Sequence, residues 1–234
     1  MNKRAFFDFD QTLYDGLSYF GVLEHHVQQG LADPNASAAA KDVLAAFKAG
    51  AVGYEPAMVQ LLDIHARSLT GASAREVQAT TDAFFESNAD ALYDYALPVI
   101  DNLEQTHQIT LVTGEPQCIG AAACKLLGVP VDSCISSQYE ISEGRYTGRV
   151  ATYLAYASQK QAAIAELVGD FDANHSIAFG DSVGDCDMLA MVKNAVCVNA
   201  SPGLQVVARQ NNWHIPRSDQ VVSLVQSLRS EGCL

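Results

Sequence analysis

The sequence is short of positive charge. Of its 234 residues only 14 are lysine or arginine, against 27 aspartates and glutamates, which gives a formal net charge of −13 at pH 7. Proteins that bind nucleic acid or anionic membranes generally need a basic face, so neither partner is expected. A small phosphorylated molecule is not excluded, because a bound cation and one well-placed lysine can reverse the charge locally.

Patterns typical of zinc sites, disulfide frameworks and membrane spans are missing as well. The six cysteines form no C-x-x-C pair, and the six histidines contain no H-E-x-x-H pattern. No apolar run approaches the length of a membrane span, and Ala5–Phe7 is too short for the core of a signal peptide. The sequence therefore predicts a cytoplasmic protein with reduced thiols.

Apolar residues, by contrast, are plentiful. They make up 49% of the chain, and charged residues make up 18%, which allows a sizeable buried core. Short apolar segments predict buried strands at residues 4–9, 109–113, 176–180 and 195–199, separated by helical patterns. This alternation predicts an α/β fold, with a Rossmann-like parallel sheet covered by helices on both faces.

Residues 16–96 follow a different pattern, in which amphipathic helices occur without any predicted strand. Ser73 and Glu76 have the spacing of a capping box at the start of one of these helices. We predict a small all-helical domain here, inserted after the first strand, and a core domain formed by residues 1–15 and 97–234. Within the core, alternation around Glu143-Gly144 predicts a β-hairpin over residues 134–150.

Two pairs of aspartates follow predicted strands, where ligands of parallel sheets bind. Asp8 and Asp10 lie where the first strand ends, and Asp181 lies at the end of the strand at residues 176–180, with Asp185 at the start of the helix that follows. Either pair alone is also explained as turn residues or helix N-caps. Carboxylate oxygens from separate strand ends, however, are the ligands that magnesium prefers.

Three further residues are candidates for binding phosphate. Thr113 ends a predicted strand and Gly114 follows it, so a hydroxyl and backbone N–H groups lie near a helix start. Lys160 falls near the start of a helix predicted to be capped by Ser158, which is an unfavourable place for a cation. A lone lysine is usually a solvated surface charge, but in so acidic a chain this one is a candidate to neutralise the substrate.

These groups occur in the order and spacing of the haloacid dehalogenase superfamily. The sequence resembles its phosphatases, and in particular the subgroup that includes phosphoserine phosphatase. The four motifs are matched by Phe6–Leu13, Leu111–Gly114, Lys160 and Gly180–Met188. The resemblance identifies the helical insert as a cap over the active site. It also implies magnesium-dependent hydrolysis of a small phosphorylated metabolite.

The resemblance implies a role for each of these residues. Asp8 would be the nucleophile that becomes an aspartyl phosphate, and Asp10 would act as general acid and then general base. Thr113, Gly114 and Lys160 would hold the phosphoryl group. Magnesium would bind the Asp8 carboxylate, the Asp10 carbonyl, Asp181 and Asp185.

The sequence also departs from the pattern of phosphoserine phosphatases. Residues 14–20 lack the glutamate, and residues 54–62 the arginine, that hold an amino acid head group in those enzymes. Phosphoserine is therefore not favoured as the substrate. Gln11 stands where glycine is commonest. Four aromatic residues suggest a more aromatic pocket, although cap packing explains such residues more often: Tyr14, Tyr19, Phe20 and Tyr54.

Three other functions fit parts of the sequence. The same fold could transfer the phosphoryl group to an acceptor other than water, or could serve as a catalytically silent binding protein. Residues 180–184 also match the serine-hydrolase pattern G-x-S-x-G, with Ser182 as nucleophile. That alternative lacks a separate acid before the last histidine, His214, since Asp185 and Asp187 belong to the same local segment as the serine.

Overall fold

The computed structural model describes residues 2–234. Its strands are β1 (Arg4–Phe7), β2 (Gln108–Pro116), β3 (Cys134–Ser142), β4 (Arg145–Thr152), β5 (Ile177–Gly180) and β6 (Asn194–Cys197). They form one six-stranded sheet in the order β4-β3-β2-β1-β5-β6. All neighbours are parallel except β3 and β4, which form the predicted hairpin. The predicted α/β class with a Rossmann-like, mostly parallel sheet is confirmed.

Four α-helices lie within residues 16–95: α1 (Ser18–Gln28), α2 (Ala36–Lys48), α3 (Tyr54–Ser68) and α4 (Ala74–Ser87). The others are α5 (Ala96–Leu103), α6 (Gln117–Leu127), α7 (Ala157–Leu167), α8 (Cys186–Leu189), α9 (Pro202–Asn211) and α10 (Val221–Ser230). No helix within residues 2–234 is both long and apolar enough to cross a membrane.

Apolar side chains cover both faces of the sheet. Phe7 and Phe6 are neighbours on β1 and point to opposite faces, because side chains alternate along a strand. Phe7 belongs to the larger cluster, which includes residues of α5, α6, α10 and the helical insert. Phe6 belongs to the smaller cluster, with residues of α7, α8 and α9. Sheet-facing residues of β1 are therefore fully buried on either side.

The hairpin joins the sheet edge to the helical insert. Glu143 and Gly144 both have positive φ, 50° and 76°, as a two-residue hairpin turn of this hand requires. The Gly71 N–H donates to the Tyr146 carbonyl (2.8 Å), and the Tyr146 N–H donates to the Ala72 carbonyl (3.0 Å). The insert is thus hydrogen-bonded to β4 as well as connected to the core through the chain.

Some helix boundaries differ from those predicted. Ser73 caps α4 as predicted, accepting a hydrogen bond from the Glu76 N–H at 3.4 Å. Helix α7 begins one residue before Ser158, and its N-cap is Tyr156, whose backbone N–H donates to the Gln159 side chain (3.1 Å). The prediction that Ser158 caps this helix was therefore wrong. Lys160 lies at the end of the first turn of α7.

Candidate active site

The candidate site lies where three neighbouring strands end. Because β1 sits between β2 and β5, the residues that follow these strands meet at one edge of the sheet. Asp8 follows β1, Asp181 follows β5, and Thr113 lies in the last part of β2. The structure thus brings together residues that are between 68 and 173 positions apart in the sequence.

Lys160 connects two of the predicted site residues. Its Nζ donates to Asp8 Oδ1 at 2.7 Å and to Asp185 Oδ1 at 2.6 Å. All three side chains are buried. Buried charges are stable only when they are paired and hydrogen-bonded, and this arrangement satisfies the cation from two sides.

Asp185 is held in place by its own loop. Its Oδ2 accepts hydrogen bonds from the Asp181 N–H (3.2 Å), the Ser182 N–H (3.0 Å) and the Ser182 hydroxyl (3.1 Å). The loop closes tightly enough that Gly180 has no room for a side chain, since a Cβ there would lie 2.6 Å from the Asp185 Cβ. Asp185 therefore positions the Lys160 ammonium with little freedom to move.

Burial and neighbouring charges set the protonation states of this pair. Burial alone would lower the pKa of Lys160, but the attraction of Asp185 and Asp8 outweighs it and raises that pKa. Burial, together with repulsion from Asp185, raises the pKa of Asp8 to about 6, against the opposing effect of Lys160. Asp8 Oδ2 also accepts a hydrogen bond from the Thr12 hydroxyl at 3.3 Å. At neutral pH, Asp8 is mainly ionised and Lys160 is protonated.

Asp10 lies beside Asp8 but in a different environment. Its Oδ2 accepts a hydrogen bond from the Ser18 N–H at 2.8 Å, and its Oδ1 is buried with no partner within residues 2–234. Burial raises the pKa of Asp10 to about 7, with a contribution from the Asp8 charge. A carboxyl group that titrates near neutral pH can both give and take a proton.

The carboxylates fit a divalent cation. Asp8, Asp181 and Asp185 each offer a carboxylate oxygen, and these oxygens all lie within 4.8 Å of one another. Burial and repulsion from Asp8 and Asp185 raise the pKa of Asp181 to about 9. Such crowding is costly unless a cation relieves it, and oxygen-only ligands suit magnesium. The residues therefore fit the magnesium ion that the family resemblance implies.

The phosphate-binding candidates lie at the same edge. Thr113 is buried, and its hydroxyl accepts a hydrogen bond from the Glu115 N–H at 3.2 Å. Gly114 lines the same cavity, and its carbonyl accepts a hydrogen bond from the Ser137 hydroxyl at 2.6 Å. Sequence reasoning missed Glu115, which also lines the cavity. Its position directly after Gly114 could have identified it, because it follows the same strand segment into the site.

A cavity of about 210 Å³ connects these residues to the helical insert. On the core side it is lined by Asp8, Asp10, Thr113, Gly114, Glu115, Lys160 and Asp181. Three of the four aromatic residues singled out in the sequence contribute to its wall: Tyr19, Phe20 and Tyr54. Tyr14 does not; it packs against Phe9 and Phe85.

Ser182 has the contacts of a capping residue. Its hydroxyl donates to Asp185 and accepts a hydrogen bond from the Gly184 N–H at 3.2 Å. No histidine among residues 2–234 hydrogen-bonds to it. A serine nucleophile needs an adjacent base, so this geometry does not favour the serine-hydrolase alternative.

Known proteins share both the sequence pattern and the fold. Residues 5–190 match the haloacid dehalogenase-like hydrolase family. The chain is 27% identical over 231 residues to phosphoserine phosphatase SerB1 of Mycobacterium tuberculosis, covering 92% of this chain and 70% of that protein. Over a shorter stretch of 121 residues it is 26% identical to a phosphoserine phosphatase of Haemophilus influenzae, covering 48% of this chain and 38% of that one.

Solved structures agree on the fold. A protein of unknown function from Bordetella pertussis superposes with a TM-score of 0.76 at 24% identity, covering 92% of this chain and 97% of that one. A phosphoserine phosphatase solved as a phospho-aspartyl intermediate analogue superposes with a TM-score of 0.60 at 17% identity, covering 88% and 90%. The resemblance predicted from the sequence is confirmed. The chain belongs to the haloacid dehalogenase-like hydrolase family, and its similarity to phosphoserine phosphatases places it among the phosphatases of that family.

Proposed function

We propose that this phosphatase hydrolyses a small phosphomonoester by passing the phosphoryl group through Asp8, with magnesium as its cofactor. The observation that carries the proposal is that Lys160 is buried and paired with both Asp8 and Asp185, where the three strands β1, β2 and β5 end. A protonated lysine at that position serves a reaction in which negative charge must be neutralised. Phosphoryl transfer depends mainly on such positioning and charge stabilisation.

Asp8 is the proposed nucleophile. One of its carboxylate oxygens attacks phosphorus, and the bond between phosphorus and the ester oxygen breaks as the new one forms. Its contacts with Lys160 and Thr12 fix the orientation of the carboxylate before the attack. Since burial and Asp185 raise the pKa of Asp8 only to about 6, the reactive ionised form predominates at neutral pH.

Asp10 is the proposed acid and base. It gives its proton to the ester oxygen that leaves from phosphorus, and the alcohol departs. It then takes a proton from the water that attacks the aspartyl phosphate, which regenerates Asp8 and releases phosphate. Its raised pKa, about 7, and the absence of a partner for its Oδ1 within residues 2–234 both suit this alternation.

The remaining residues hold the phosphoryl group and the cation. Thr113, the Gly114 N–H and Lys160 are proposed to bind the phosphoryl oxygens. The Asp8 carboxylate, the Asp10 carbonyl, Asp181 and Asp185 would hold magnesium, which when bound supplies positive charge to the phosphoryl oxygens.

The domain assignment is part of the same proposal. We assign residues 16–96 to a cap domain and residues 1–15 and 97–234 to the core domain. The cavity supports this division, because its wall combines core carboxylates with side chains of α1, α2 and α3. The cap would cover the reacting groups and exclude water other than the one that Asp10 activates. A cytoplasmic location stays a prediction.

The test is hydrolysis of para-nitrophenyl phosphate with and without magnesium, by the wild type, Asp8→Asn and Asp187→Asn. Asp187 is a matched control, since it lies two residues beyond Asp185 but does not line the cavity. We expect magnesium-dependent turnover in the wild type and in Asp187→Asn, and none in Asp8→Asn. Turnover that persists in Asp8→Asn would contradict the proposal that Asp8 is the nucleophile. Turnover that is unaffected by chelation would contradict the proposed requirement for magnesium.

A further inference from the structure

The wall of the cavity that faces the reacting groups is apolar. Helix α2 contributes Leu44 and Phe47, and α3 contributes Tyr54, Met58, Leu61 and Leu62. Among the described residues that line the cavity, none contributed by these two helices is charged. The alcohol part of a substrate bound at Asp8 has to lie against this wall, since the phosphoryl group occupies the core side.

The cavity also lacks a partner for a second anionic group. Lys160 is its only lysine or arginine among the described residues, and both Asp8 and Asp185 already use it. Glu115 lines the same space, and its Oε2 has no hydrogen-bond partner within residues 2–234. A carboxylate on the alcohol part would therefore be desolvated without a counter-ion, which is strongly unfavourable.

Building on the proposed phosphatase activity, we infer that the substrate is a monoester of a hydrophobic alcohol without a carboxylate, a small alkyl or aryl phosphate. Apolar contacts with the cap rather than ion pairs then select the substrate. The cavity volume of about 210 Å³ limits how much of the alcohol can be enclosed. Selectivity should thus rise with alkyl length and stop rising when the cavity is full.

The size of the effect follows from the transfer of methylene groups out of water. Each buried methylene contributes about 0.8 kcal/mol, which corresponds to about a fourfold increase in kcat/KM. Recognition by charge would give no such increase. It would instead favour the ester that carries the charged group, whatever the length of its alkyl chain.

The experiment measures kcat/KM for straight-chain alkyl phosphates from ethyl to hexyl with magnesium. Phosphoserine and 2-aminoethyl phosphate are the charged comparators for propyl phosphate, which has a similar length. We expect about a fourfold rise per methylene over the first members of the series, and phosphoserine, which carries a carboxylate, should fall below propyl phosphate.

A matched pair of variants places the selectivity in the cap. Phe47 and Phe84 are both half-buried cap phenylalanines, but only Phe47 lines the cavity. Phe47→Ala should flatten the dependence on chain length, whereas Phe84→Ala should retain it. Melting temperatures of both variants show whether either has lost its fold. The alkyl phosphate series measured with the wild type tests the inference even if a variant does not fold.

The outcomes separate this inference from the proposed function. A series that is flat, or led by phosphoserine or 2-aminoethyl phosphate, would overturn the hydrophobic substrate and leave the phosphatase intact. If no ester in the panel, nor para-nitrophenyl phosphate, is hydrolysed with magnesium, the proposed function fails and the inference fails with it.

Discussion

At the scale of single residues, Gly180 limits the geometry of the site because it leaves no room for a side chain. A Cβ at this position would lie 2.6, 2.8 and 2.9 Å from the Cβ, Cγ and Oδ2 of Asp185. Asp185 is fully buried and cannot yield easily, so any side chain at position 180 must displace it. The ammonium of Lys160 would move with it, because the two are hydrogen-bonded.

We predict that Gly180→Ala destabilises the protein by about 1–3 kcal/mol, as overpacking of a buried site does. Turnover should fall by about 10- to 100-fold, since the group that positions Lys160 is displaced. Urea unfolding and phosphatase kinetics measure the two effects. Gly53→Ala is the control, because a Cβ there meets nothing closer than 3.7 Å. Equal turnover in both variants would argue against this role of Gly180.

Glu115 supplies a prediction about pH. Burial raises its pKa well above the usual value, with further repulsion from Asp10 and Asp8. A carboxyl group with a raised folded-state pKa favours folding below its unfolded-state pKa, near 4.5, and this contribution is lost as the pH rises. Glu115→Gln should therefore gain stability relative to the wild type as the pH rises above about 5. Chemical denaturation in metal-free buffer from pH 5 to 8 measures the stability of both proteins. A difference in stability that does not change with pH would contradict the raised pKa of Glu115.

The sequence identified most of the candidate site, for a physical reason. Asp8, Asp181 and Thr113 follow or end strands, and ligand-binding residues of parallel sheets lie there whatever the rest of the chain does. Lys160 could be identified from the resemblance and its unfavourable helix position. The burial of the Glu115 carboxyl without a partner for its Oε2 could not be predicted, because it depends on how the insert and the core pack together rather than on any local pattern.

At the scale of elements, a buried histidine pair joins three helices of the insert. His26 of α1 and His65 of α3 hydrogen-bond through their rings at 3.1 Å, and His26 also contacts the Thr81 hydroxyl of α4 at 2.9 Å. Both rings are completely buried. Burial lowers the pKa of His26 to about 4, and burial together with His26 lowers the pKa of His65 well below its usual value.

We predict that this pair makes the insert acid-labile. A histidine with a lowered folded-state pKa stabilises the protein fully above its unfolded-state pKa of about 6.5, and that stability is lost as the pH falls toward 4. The loss from His26 alone is on the order of 3 kcal/mol by pH 4. Denaturation of the wild type and His26→Gln between pH 4 and 7 measures it. The variant should lose less stability on acidification, and His214→Gln should behave like the wild type; identical slopes in all three proteins would refute the prediction.

Elements were predicted well where local chemistry decides them. The hairpin was predicted because Glu143-Gly144 suits a turn with two positive φ values. The helix after β5 is short: a 3₁₀ turn at Val183–Asp185 leads into α8, which ends at Leu189. The Asp185 side chain holds that turn, because it accepts hydrogen bonds from the Asp181 and Ser182 N–H groups and from Lys160, and these contacts leave no periodic signal in the sequence.

At the scale of the whole molecule, the charge of −13 makes cation binding a matter of stability as well as catalysis. Three carboxylates, Asp8, Asp181 and Asp185, gather their oxygens within 4.8 Å at the proposed metal site. A ligand that binds only the folded state stabilises it, by about 2.7 kcal/mol at 100 times its Kd.

We predict that saturating magnesium raises the melting temperature of the wild type by about 5–10 °C. Asp181→Asn should lose most of this increase, because it removes a proposed ligand, and Asp187→Asn should keep it. Sodium chloride at matched ionic strength separates site binding from general screening of the acidic surface. An equal increase in all three proteins would mean that magnesium acts on the surface charge and not at the proposed site.

The architecture of the sheet has a consequence for how the enzyme is assembled. Arg4 of β1 pairs with Gln108 of β2, and Ala5 pairs with Ile177 of β5. The central strand therefore pairs only with strands that are distant in the sequence. Pairing of strands that are distant in the sequence is slow compared with the formation of helices in the intervening insert. Refolding should therefore recover helical circular dichroism before it recovers turnover. The proposed nucleophile, Asp8, follows a strand near the start of the sequence, yet we expect its surroundings to be among the last parts of the protein to form.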